Sequence, residues 1–154
     1  MPGFPLLDIQ LYALFFLLGA FTVKSISEME NWHTRRNMTL LWLFFLIGFA
    51  IFDGYVRPYG LKELGAKWGM VAGIAFLFYI KDIELIVWDD KIALLAAMAI
   101  LPYLHIPLLL GFYVLLVWLF KTRLRHKFSH SDEIPTMPLI TSSLIFTVLI
   151  FLYI

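Results

Sequence analysis

The chain has 154 residues, of which 62% are hydrophobic and only 15% charged, with a net charge of +1. Soluble domains average about 45–50% apolar and about 25% charged residues, so a water-soluble fold of this length could not hide so much apolar surface. The near-neutral balance points to no nucleic-acid partner, and the absence of cysteine removes disulfides, a thiol nucleophile and Cys-ligated zinc. What remains is an all-α, polytopic membrane bundle of about six transmembrane helices, a single domain over residues 1–154 with membrane lipid around it.

Six apolar runs follow one another, each bounded by charge, Pro or Gly. The first runs from Leu6 to Val23. The residues before it include no basic start and no small-residue cleavage site, so it reads as a retained helix rather than a signal peptide. The second runs from Met38 to Val56. Asp53 near its end stands four residues before Arg57, a spacing that predicts a local ion pair. The third, Trp68 to Ile80, is short for a span. It is expected to recruit residues before Trp68 or to continue past Lys81. Residues 92–120 then carry no Lys, Arg, Asp or Glu. That stretch is too long for one helix of about 20 residues and barely enough for two. Pro102 and Pro107 bracket Tyr103 to Ile106, which suits a tight turn. The expectation is therefore a hairpin, with a fourth helix from Ile92 to Leu101 and a fifth from Ile106 to Phe120. One long kinked helix is the alternative. The sixth run is Met137 to Ile154.

Lysine and arginine set the orientation. Lys24, Arg35 and Arg36 follow the first run, Lys81 and Lys91 the third, and Lys121, Arg123, Arg125 and Lys127 the fifth. Arg57, Lys62 and Lys67 fall on the other side. Nine of the 12 cations therefore share one face. The positive-inside rule places loops 24–37, 81–91 and 121–136 in the cytoplasm, with the chain in the plasma (inner) membrane.

Acids are few, so their placement is informative. Lys81, Asp82, Glu84, Asp89, Asp90 and Lys91 cluster between the third and fourth runs, and Glu28 and Glu30 lie between the first and second. Both groups sit on the same predicted face. Two carboxylates held close can share one proton, because like charges at short range cannot both ionise easily. One can then activate water while the other acts on a substrate carbonyl, as in aspartic proteases. The structural reading of the same acids is a set of solvated loop charges, with Asp90 complementing the dipole of the helix it opens.

The stretch Asp90-Lys91-Ile92-Ala93-Leu94-Leu95-Ala96-Ala97-Met98-Ala99-Ile100-Leu101-Pro102 resembles the second catalytic segment of the type IV prepilin peptidase family. In that family an Asp after Gly-x-Gly or Gly-Gly-Ala opens a helix of Leu and Ala. Ile134-Pro135-Thr136-Met137-Pro138-Leu139-Ile140 resembles the Ile-Pro-Phe-x-Pro-x-Leu that opens its last helix. Glu28 to Leu40 is the nearest match to its first catalytic segment, Asp-x-x-x-Arg-x-x-Pro-Asn-x-Leu-Thr-Leu, with Glu28 at the Asp position. Trp32, Arg35 and Arg36 replace that motif's Arg, Pro and Asn, and Val87, Trp88 and Asp89 stand where the family has glycines. The likeness is to the short, peptidase-only or archaeal-type forms.

The resemblance implies a membrane aspartic endopeptidase, a hydrolase without cofactor or metal. Its partner would be a prepilin-like or archaellin-like precursor with a basic leader and an apolar helix. Its catalytic pair would be Asp90 and Glu28, with Glu30 and Asp89 as alternatives. A non-catalytic membrane subunit or scaffold is the competing reading. A small transporter ranks third, because at sequence level the spans offer almost no deep polar residues. His33, His105, His126 and His130 form no ligand cluster at helical spacing. Gly69 and Gly73 on the third run permit close helix contact.

The charge asymmetry generates the first prediction. A cysteine introduced at Ser129 should resist an impermeant thiol reagent in intact cells and react after lysis. Labelling from outside would invert the orientation.

Overall fold

The computed structural model describes residues 8–30, 38–56, 60–81, 88–124 and 136–153. Among these the architecture is all-helical, with six α-helices and no strand. They are α1 (Asp8–Glu30), α2 (Thr39–Val56), α3 (Leu61–Ile80), α4 (Trp88–Ile100), α5 (Ile106–Leu119) and α6 (Thr136–Tyr153). A 3₁₀ turn at Tyr103–His105 precedes α5, and a π-helical turn at Phe120–Leu124 follows it.

The predicted break into two helices joined by a turn is present. α4 stops at Ile100, and the His105 amide closes the turn on the Pro102 carbonyl at 3.0 Å. Pro107 stands in the first turn of α5, where a missing N–H costs nothing. The short third run recruits residues on its N-terminal side, about two turns before Trp68. The Gly60 amide donates to Glu63 Oε2 at 3.0 Å, which fixes that start.

Two expected loops are corrected. α1 continues to Glu30 and α4 begins at Trp88, so Lys24, Glu28, Glu30, Asp89, Asp90 and Lys91 are helical rather than loop residues. A charge ends a buried helix only when it lacks a partner, and Lys24 and the two aspartates partner one another.

α4 is the axis of the core. Residues 93–101 are all buried, against α1, α2, α3 and α6. Ala93, Ala96, Ala97 and Ala99 let neighbouring backbones approach closely. At 1.5 Å per residue α4 rises only about 20 Å, less than the roughly 30 Å of a hydrocarbon core. The surrounding helices turn apolar faces outward, including Tyr12, Phe44, Tyr55, Tyr79 and Trp118. Three helical stretches, Ile9–Ile26, Leu61–Ile80 and Tyr103–Thr122, are long and apolar enough to cross a membrane. Length, composition and outward apolar surface together fit a membrane protein.

The interior is less apolar than the sequence suggests. Gln10, Lys24, Asp53, Lys67, Asp90 and Lys91 are all buried. Lys67, counted above among the cations of an outer loop, lies inside α3 and is fully buried. Its Nζ donates to Asp53 Oδ2 at 2.6 Å, and Trp68 Nε1 donates to the same oxygen at 3.1 Å. This pair joins α2 to α3. Arg57, the expected local partner of Asp53, lies outside the described residues.

Removing one member of a buried ion pair leaves the other charge unpaired, a cost of about 3–5 kcal/mol, whereas an apolar pair of similar volume is often tolerated. Lys67→Met should therefore lower the melting temperature in detergent markedly. Adding Asp53→Leu to it should recover most of the loss. Equal melting of Lys67→Met and the parent would show that the pair contributes nothing.

Candidate functional site

Five helices meet at one end of the bundle. Lys24, near the end of α1, contacts Asp89 Oδ2 and lies 3.3 Å from Asp90 Oδ1 at the start of α4. Thr39 Oγ1, the first residue of α2, donates to Asp89 Oδ1 at 3.0 Å. The Lys91 ammonium lies 5.9 Å from the centre of the Phe78 ring, near the end of α3. The hydroxyls of Ser25 on α1 and Thr141 on α6 are 2.9 Å apart. The ends of α1 and α3 and the starts of α2, α4 and α6 therefore share one end, the order that an up-and-down bundle requires.

Lys24, Asp90 and Lys91 are buried and Asp89 is nearly so. Buried charges persist only when paired and hydrogen-bonded. Here one ammonium serves both aspartates, and a threonine hydroxyl takes up the second oxygen of Asp89. Trp42 on α2 stands beside the site, its ring centre 5.9 Å from Lys24 Nζ. Phe21 packs against Trp42 edge-on, with ring centres 4.9 Å apart and planes at 79°. Among the described residues no group of three or more His, Cys, Asp or Glu side chains could hold a metal.

Of the residues expected at the site, Asp89 and Asp90 are brought together on Lys24. The side chains of Glu28 and Glu30 lie outside the described residues, and the expected Asp90–Glu28 pair lies there with them. Their backbone positions are fixed by α1. Glu28 follows Lys24 by four residues, so it shares that face of the helix, about 6 Å further along. Glu30 is six residues on, about 240° around the helix and on a different face.

Sequence reasoning missed Lys24, Thr39 and Trp42. The signal for Lys24 was available. It is a lone cation inside the run Phe21-Thr22-Val23-Lys24-Ser25-Ile26, and such a cation needs an acid nearby. The other two carry no comparable mark, because Thr and Trp are common in apolar helices.

Lys24→Met would leave two carboxylates around one missing ammonium. It should destabilise the protein in detergent by about 3–5 kcal/mol, and combining it with Asp89→Asn and Asp90→Asn should restore most of that. Lys24→Arg should be tolerated far better than Lys24→Met. Thermal unfolding of the four proteins checks this, and indifference to Lys24→Met would remove the cluster from the account of stability.

Comparison with protein-family models, with curated proteins and with solved structures gave no match.

Proposed function

We propose that the chain is a prepilin-peptidase-like aspartic endopeptidase of the plasma membrane, crossing it six times with the acid end in the cytoplasm. It would cut precursors made of a basic leader followed by an apolar helix, at the cytoplasmic boundary. The observation that carries the reading is the placement of Asp90. It is 2% exposed at the end of the core helix, and Lys24 ties it to α1 one helical turn before Glu28.

The chemistry runs through the Asp90–Glu28 pair. The ionised acid takes a proton from water as the water oxygen bonds to the scissile carbonyl carbon. The carbonyl oxygen takes the proton of the other acid as its π pair moves onto it. Collapse of the tetrahedral diol breaks the C–N bond, and the leaving nitrogen takes up a proton. Two carboxyls held close can share one proton, since like charges at short range cannot both ionise easily. The acids also suit the recognition of a basic leader.

A second reading has its own support. Lys24 already neutralises both aspartates, and Trp88 replaces a glycine of the motif. A non-catalytic subunit would use the same cluster only to hold α1, α2 and α4 together. Co-expression with a prepilin separates the two, with cleavage read as a shift in precursor size. Asp90→Asn should lower cleavage on the order of 10²–10⁴-fold, Glu28→Gln should do the same, and Asp89→Asn should cost less. Cleavage by Asp90→Asn equal to the parent's would sink the peptidase reading.

A further inference from the structure

Lys24 and Lys67 are buried against carboxylates, whereas Lys121 is exposed and pairs with none of the described acids. Lys121 lies in the π-helical turn that ends the membrane-length stretch Tyr103–Thr122. Such turns are rare and recur at functional sites. Trp118 precedes Lys121 by three residues and is 56% exposed, and at that spacing two side chains are neighbours on a helix surface. Val114 and Leu115, one turn further back on the same side, are exposed as well. The strip therefore passes from aliphatic side chains to an indole and then to an ammonium. Those are the layers met on leaving a lipid leaflet: acyl chain, interface, charged headgroup. A bare helix C-terminus would repel an anion. Here the Thr122 hydroxyl donates to the Trp118 carbonyl at 2.8 Å and lies 3.4 Å from that of Leu119, so the last turn is partly covered. Arg123, Arg125 and Lys127 follow in the sequence, which puts four cations and no acid in seven residues.

We infer that the end of α5 selects an anionic phospholipid, with the headgroup phosphate at Lys121, the glycerol region at the Trp118 indole and an acyl chain along Val114 and Leu115. This site goes beyond the peptidase reading. It needs only a membrane around the helix and is independent of any cleavage. An anionic headgroup suits the strip better than a zwitterionic one, because a zwitterion brings an ammonium of its own to the place that Lys121 already occupies. Each Lys or Arg at an anionic membrane surface strengthens binding about fivefold. The competing role for Lys121 is to complement the negative end of the helix dipole, which asks for no particular lipid.

The experiment uses the full chain in vesicles of phosphatidylcholine containing a minor share of phosphatidylglycerol. One lipid or the other carries bromine on its acyl chains, which quenches the fluorescence of an adjacent indole. The chain has five tryptophans, and the contribution of Trp118 is the difference between the parent and Trp118→Phe. Mole for mole, brominated phosphatidylglycerol should quench Trp118 several-fold more effectively than brominated phosphatidylcholine. Lys121→Gln should lower that preference about fivefold, and Lys121→Arg should keep it. The melting temperature of Lys121→Gln in lipid-free detergent should match the parent's, because an exposed side chain away from packed contacts contributes little to the fold. Equal quenching of Trp118 by the two lipids overturns the inference, and so does a preference that Lys121→Gln leaves unchanged. Inorganic phosphate should weaken the preference no more than sodium chloride of the same ionic strength does. A selective loss in phosphate would assign the site to the free anion and overturn the lipid reading. Cleavage of a precursor, or its absence, changes none of these outcomes.

Discussion

A charge removed from water must meet its opposite, and that rule fixes more of this bundle than any apolar contact does. Apolar side chains in a helical membrane protein slide over one another at little cost, since lipid and protein interior are equally apolar. The ammonium of Lys24 cannot slide. It has to stand where Asp89 and Asp90 stand, and Thr39 has to reach the same carboxylate. Those contacts set the height of α1, α2 and α4 relative to one another. At the other end Lys67 and Asp53 do the same for α2 and α3. The alanines of α4 then let the helices close around a register that the charges have chosen.

The six helical runs and the turn between α4 and α5 were legible in the sequence, from the apolar runs and from proline's missing donor. Pro102 and Pro107 mark the turn without any tertiary information. Helix ends were not legible where a charge continues a helix. Lys24 and Lys67 both looked like the edges of spans, and both lie inside helices with an acid from elsewhere in the chain. Pairings across 14 or 66 positions leave no local trace. A lone cation in an apolar run signals that a partner exists but not which acid it is.

The candidate site was half legible. Asp89 and Asp90 stood out because acids are rare in this chain, and they do converge at a helix junction. Trp42 could not be singled out among the 27 aromatic residues, 15 Phe, five Trp and seven Tyr. What distinguishes it is the place of its ring beside Lys24, a property of packing and not of composition. Glu28 is an intermediate case. Its motif position suggested it, and helical register relative to Lys24 sets it apart from Glu30.

The shortness of α4 bears on how the protein is made. A 13-residue segment that opens with two aspartates and a lysine is too short and too charged to enter a bilayer by itself. Lys24, Thr39 and Phe78, which meet its charged side chains, all precede it in the chain. Synthesis therefore delivers the acceptors before the segment that needs them. The helical stretch Tyr103–Thr122, long and apolar enough to cross a membrane, follows directly. The order of helices along the chain thus doubles as an order of assembly, in which the least lipid-compatible helix is received by protein rather than by lipid.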